Sequence, residues 1–297
     1  MKKATITLVF LLTAALILSF AACTVNTDTP DTSDTSSQTV TETAGETDTE
    51  NAAQTDTGSE TNAETESTGT EIPRSEPGYP KDYTLSKAPW DDLYIKSLSF
   101  FGDSTTYHLK ARGGIAADKV IHGKAYTVSL AYLSDLRIRT ASETDDDYKK
   151  VSDYFLTHHP ERLVVTVGLG GGVTFVQNGK LSKEDFMSLY KKLIRYIREA
   201  SPETTVMLQS IFPVLETNYI GASNDMIVEI NSWIREYADE NGLYYFDTHS
   251  VLTDENGALK SEYAVKKDGS GNVDGYHITV EGYTAILNYL IAYKYEG

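Results

Sequence analysis

The 297-residue chain contains a single cysteine, Cys23. No disulfide can form within one chain, so the fold needs no oxidising compartment for its stability. Basic residues are missing altogether from residues 24–71, which hold 12 acidic side chains. Of the net charge of −17, this stretch supplies −12 and residues 1–22 supply +2, leaving −7 for residues 72–297. No basic stripe remains to track a phosphate backbone, which argues against a nucleic-acid partner. No internal repeat is apparent. The one apolar stretch, Ile6 to Leu18, is broken by Thr7 and Thr13 and followed by Ser19, and is short for a membrane-spanning helix of about 20 residues.

What is present divides the chain into three parts. Residues 1–22 read as an export signal, with Lys2 and Lys3, then the apolar stretch, then Ala21-Ala22. Phe20-Ala21-Ala22-Cys23 resembles the lipobox of bacterial lipoproteins, with Phe20 where that family usually has Leu. The resemblance implies lipid attachment at Cys23 and a bacterial, extracytoplasmic location in the cell envelope, anchored to the membrane through the lipid. Residues 23–75 are dominated by Thr, Ser, Asp, Glu, Asn and Gln. They offer too little apolar surface to offset ordering entropy and read as a disordered, acidic tether. Residues 76–297 have the length of one α/β domain.

Within that domain, short apolar runs alternate with longer amphipathic ones. Strands are expected at Tyr94–Phe101, Lys119–His122, Leu163–Val167, Thr205–Ile211 and Leu243–Phe246. Helices are expected at Thr105–Lys110, Tyr148–Phe155, Ser182–Glu199, Asn224–Glu240 and Thr279–Tyr295. Ser182 with Asp185 forms a variant capping box, and Asn241-Gly242 a stop. The alternation predicts a mostly parallel sheet with helices on both faces, and a site beyond the carboxyl ends of the strands.

Two motifs carry the chemistry. Phe101-Gly102-Asp103-Ser104 ends the first buried strand, and Asp274-Gly275-Tyr276-His277 precedes the last helix. A serine on a tight strand-to-helix turn exposes its hydroxyl, although Asp and Ser there also suit a simple helix cap. Asp274 three residues before His277 can hold the imidazole Nδ1 and leave Nε2 for the serine, although a polar surface loop reads the same way.

Taken together, the GDS after a first strand, a glycine turn Gly168–Gly172 after a middle strand and a DGxH before a terminal helix resemble the GDSL, or SGNH, hydrolase family. The resemblance spans residues 92–297. It implies a flavodoxin-like three-layer α/β/α sandwich with about five mostly parallel strands. It also implies a catalytic triad of Ser104, His277 and Asp274 and an oxyanion hole from the backbone N–H groups of Ser104, Gly123 and Gly170. Gly170 stands where the family has an asparagine whose side chain donates to the oxyanion. The expected substrate is an acylated carbohydrate or other ester, and neither a metal nor an organic cofactor is required. A lipase- or thioesterase-like hydrolase on the same triad, and a non-catalytic glycan- or protein-binding domain, are the alternatives.

The other candidates are weaker. His108 lies one turn after Ser104 and either lines the pocket or faces solvent. His158 and His159 lack neighbours at metal spacing. Asp247 and His249 form a possible second acid–base pair or a structural turn. The run Glu143–Asp147 suits the first turn of the helix at Tyr148. All twenty tyrosines fall within residues 79–297; some are compatible with sugar stacking, and most with packing.

Overall fold

The computed structural model describes residues 74–266 and 273–297. The leader, Cys23 and nearly all of the acidic tether lie outside the described residues. The folded chain begins before residue 76. Ser75 is buried, and its hydroxyl donates to the Tyr245 carbonyl (2.6 Å) and accepts from the Asp247 N–H (3.1 Å).

Among the described residues, seven strands form the central sheet: β1 Leu98–Gly102, β2 Val120–Gly123, β3 Arg137–Thr140, β4 Lys149–Lys150, β5 Arg162–Thr166, β6 Thr205–Gln209 and β7 Tyr244–Phe246. Their order is β4-β3-β2-β1-β5-β6-β7. The five strands β2, β1, β5, β6 and β7 are parallel, as the alternation of runs predicts, while β3 and β4 extend the β2 edge antiparallel. The extension was not expected, because Arg137–Thr140 and Lys149–Lys150 are short and polar and form only against an existing edge. In a separate two-stranded sheet, β8 Ala264–Lys266 pairs antiparallel with β9 Val273–Ile278.

Both faces of the sheet are covered, which makes three layers. Phe101, Leu163, Val165, Val206 and Leu208 point into one core with Phe186, Tyr190, Ile230 and Trp233 from the helices Lys183–Ala200 and Asn224–Glu240. Their neighbours Leu98, Phe100, Val164 and Met207 point into the other, against Tyr94, Tyr283, Ile286 and Leu290. Alternate side chains of one strand feed opposite cores, so each central strand reads as a continuous apolar run. None of the helices among the described residues is long and apolar enough to cross a membrane.

Local chemistry sets the helix starts. Ser182 Oγ accepts from Asp185 N (3.1 Å) and Asp185 Oδ2 from Ser182 N (3.3 Å), a complete capping box. Thr279 Oγ1 accepts from Gly282 N and starts the helix Val280–Ala292. The helix expected at Thr105–Lys110 is split at His108 into Ser104–Tyr107 and Leu109–Arg112, and two further elements differ from expectation. Leu93–Ser97 is helical rather than the start of a strand, because Asp92 caps it through Tyr94 N (2.8 Å) and Tyr94 and Ile95 bury together. The helix expected from Tyr148 starts at Val151. The acidic run caps its own turn instead, with Thr144 and Asp147 as a reciprocal pair and the Glu143 carboxylate accepting from Thr140 N (2.6 Å).

Candidate active site

β1 must end on glycine. A Cβ at Gly102 would lie 2.1 Å from Thr106 Oγ1 and 2.2 Å from the Thr166 carbonyl, so only a bare Cα lets the chain turn between two neighbours. Asp103 then caps the helix Ser104–Tyr107, with Oδ1 accepting from Thr105 N (3.2 Å) and Thr105 Oγ1 (2.7 Å). The cap role therefore falls to Asp103, and the Ser104 hydroxyl is left free. Tyr283, from the last helix, donates to the Thr105 carbonyl (2.5 Å) and ties that turn to the far end of the chain.

The second motif lies in β9 rather than in a loop. The Asp274 Oδ1 accepts from the N–H groups of Tyr276 (3.1 Å) and His277 (3.0 Å), and Oδ2 accepts from His277 Nδ1 (2.8 Å). Burial alone would raise the Asp274 pKa; hydrogen bonds from His277 and Tyr276 outweigh it and hold the carboxyl below its ordinary value. With Nδ1–H committed to the carboxylate, Nε2 is the acceptor, and Ser104 Oγ stands 3.0 Å from it. Side chains 173 residues apart thus form one hydrogen-bonded line, carboxylate to imidazole to hydroxyl.

His108 meets this line from the side. Its ring stands edge-on to His277 with centroids 4.8 Å apart. Burial, then the charge of Arg112, pushes its pKa down to about 4, so it remains uncharged beside His277 at neutral pH. Ser104 opens on a cleft of about 390 Å³ whose walls include Thr127, Thr174, Tyr219 and Tyr276. Sequence reasoning did not single out those four; only Tyr276, inside the second motif, carried a signal.

Neither glycine expected to assist the serine keeps a free N–H. Gly123 ends β2. Ala141 N donates to the Val120 carbonyl, so in the antiparallel ladder with β3 the backbone groups of Val120 and His122 face β3. Those of Gly123 therefore face β1, where the parallel register Gly102↔His122 pairs its N–H with the Gly102 carbonyl and corrects the expectation that it serves the oxyanion. Gly170 lines the cleft, but its N–H donates to Asp103 Oδ2 (3.1 Å). That bond removes Gly170 from the free donors and corrects the expectation for it. Asp103 is buried, and its pKa is raised by desolvation against the hydrogen bonds from Thr105 and Gly170.

The remaining candidates lie elsewhere. Asp247 and His249 line a separate cavity of about 230 Å³ with Asn231 and Arg235. His158 Nε2 is 3.4 Å from Glu143 Oε1, and His159 Nδ1 is 2.7 Å from Glu203 Oε1.

A family model described as GDSL-like lipase/acylhydrolase matches residues 100–285, and the chain belongs to that family. Solved structures with a similar fold include a GDSL-like lipase from Bacteroides thetaiotaomicron, at 16% identity over 67% of this chain and 88% of that one, with a TM-score of 0.43. Another is a family 3 carbohydrate esterase from Clostridium thermocellum, at 16% identity over 66% of this chain and 93% of that one, TM-score 0.40. The OSK domain of Drosophila Oskar is also similar, at 15% identity over 72% of this chain and 95% of that one, TM-score 0.45. No curated protein sequence matches the chain.

Proposed function

We propose that the protein is an extracytoplasmic serine esterase that removes O-acetyl or another short acyl group from a carbohydrate. The observation that carries the reading is the line Asp274–His277–Ser104, with contacts of 2.8 and 3.0 Å, opening on the cleft. Ser104 Oγ attacks the ester carbonyl while His277 Nε2 takes its proton. The Asp274 carboxylate stabilises the imidazolium, which then protonates the leaving alcohol. Water, activated by the same imidazole, releases the acid from the acyl-serine and regenerates the hydroxyl. The Ser104 N–H, at the start of its helix, is the backbone donor left for the developing oxyanion. A cleft of this volume, with Thr127 and Thr174 in its walls, favours a short acyl group over a lipid chain. Fluorophosphonate labelling that depends on Ser104 tests the nucleophile directly.

Gly170 favours a second reading, ligand binding without turnover, because its position lacks a side-chain donor and its N–H is spent on Asp103. The two readings part at Gly170→Asn. A Cβ there would lie 3.5 Å from Asp103 Oδ2, ordinary contact, on a backbone at φ −80° that any residue adopts. One added oxyanion donor is worth about 10²–10³ in rate where geometry is ideal, so the variant is expected to raise kcat on a short acyl ester by about 10-fold or more. An unchanged or lower kcat would show that the natural hole is already complete.

The proposed location rests on the leader and Cys23. Lipidation at Cys23 would hold the enzyme at the envelope. Cys23→Ala is expected to release the protein into the medium, read by fractionation; retention in the membrane would count against the lipid anchor.

A further inference from the structure

Tyr219 is 85% exposed, on the segment that joins β6 to the helix Asn224–Glu240. A single exposed aromatic is ordinary on a protein surface. Its setting is not. Tyr219 N donates to the Asp274 carbonyl and Leu215 N to the Gly275 carbonyl, both at 2.8 Å. The segment is thereby stapled to the strand that carries Asp274 and His277. On its other side, Gln177 Nε2 donates to the Gly221 carbonyl (3.1 Å) and Ser223 N to Gln177 Oε1 (2.9 Å). Those bonds tie it to the short helix whose Thr174 lines the cleft. Asn218 closes the segment from within, donating to the Leu215 and Ala222 carbonyls and accepting from Ala222 N, at 2.9–3.0 Å.

The backbone is thus held on three sides while the side chain is left bare. Among the described residues, the Tyr219 hydroxyl has no hydrogen-bond partner and its ring no aromatic or cationic one, yet Tyr219 lines the cleft beside Ser104 and Tyr276. Tyr126, also exposed, already leans on Tyr107 with ring centroids 4.0 Å apart. A flat ring on a rigid backbone offers contact area with little entropy left to lose on binding. The polar groups around it suit a ligand with one apolar face and a hydroxylated rim.

We propose that Tyr219 is a specificity-determining residue of a sugar subsite, stacking on the C–H face of the pyranose that carries the acyl group and holding its ester over Ser104. This deepens the esterase reading and rests on it for the identity of the reacting group. The full chain is tested in two ways. The ratio of kcat/KM on acetylated xylo-oligosaccharide to that on vinyl acetate, which has no ring to stack, is expected to fall at least ~10-fold in Tyr219→Ala and to be largely kept in Tyr219→Trp. Binding of the same oligosaccharide to Ser104→Ala protein, by calorimetry, is expected to weaken by a similar factor when Tyr219→Ala is added, with circular dichroism as the folding control.

An unchanged ratio together with unchanged affinity overturns the subsite. So does intact turnover of vinyl acetate with no binding of acetylated xylo- or chito-oligosaccharide. If Ser104 takes no fluorophosphonate but Tyr219-dependent binding persists, the esterase reading falls and the subsite stands.

Discussion

Ser104→Ala is expected to abolish fluorophosphonate labelling and to lower kcat/KM on short acyl esters by about 10⁴-fold or more. The size of the effect follows from the geometry. His277 Nε2 has Ser104 Oγ as its partner at 3.0 Å, and among the described residues no second hydroxyl is hydrogen-bonded to that nitrogen. Asp247 and His249 line a different cavity and offer no substitute. What remains in the variant is the Asp274–His277 pair and the cleft, which can bind an ester but form no acyl-serine. The fold should hardly notice, since the hydroxyl makes one half-buried hydrogen bond, worth about 1 kcal/mol at most. Circular dichroism and the urea midpoint are therefore expected to match the parent. Labelling that persists in Ser104→Ala would remove Ser104 as nucleophile and the reaction scheme with it.

Gly275→Ala is expected to damage stability and activity together. Gly275 has φ +79°, and a Cβ there would lie 2.7 Å from the Thr217 carbonyl and 2.8 Å from Asn218 Cα, both backbone atoms. A left-handed alanine costs roughly 1–2 kcal/mol, and forcing an atom into packed backbone costs about 1–3 kcal/mol. The sum, about 2–5 kcal/mol, is large against ordinary domain stability. The strain cannot relax harmlessly. Gly275 lies between Asp274 and His277, and its carbonyl holds Leu215 N, so any shift moves the imidazole and the Tyr219 segment at once. A displacement of ~1 Å at a reacting group is worth about 10²-fold in rate. Urea titration and kcat from one preparation check both effects; a variant with parental midpoint and parental kcat would show that the turn has room the structure does not.

Much of this architecture is legible in the residues. The run Leu163–Val167 is β-branched and apolar because it is buried on both faces, and it forms β5 within one residue of expectation. Ser182 with Asp185, and Thr279 ahead of its apolar stripe, start helices where their side chains can reach orphan N–H groups. The two motifs announce a serine, a histidine and a carboxylate in the right order. Less legible is anything that depends on an edge. β3 and β4 carry no apolar pattern and exist because β2 leaves hydrogen-bonding groups to be paired. Tyr94–Ser97 departs from the strand expected at Tyr94–Phe101 for the related reason that a five-residue helix is too short to show a period, and the Asp92 cap decides the conformation.

The site shows the same division. That Ser104 follows a buried strand through a glycine turn is a local fact, written in consecutive residues and enforced by backbone sterics at Gly102. So is the Asp274 carboxylate closing on the N–H of His277 three residues later. The meeting of Ser104 with His277, the diversion of the Gly170 N–H to Asp103 and the stapling of the Tyr219 segment to Asp274 are of another kind. They join residues distant along the chain, and no spacing encodes them. The sequence by itself determined the buried central strands, the long helices, their order and the chemical groups at their ends, because steric and hydrogen-bonding preferences over a few residues suffice for those. Only the tertiary structure decided which donor meets which acceptor, because that choice belongs to packed surfaces brought together by burial.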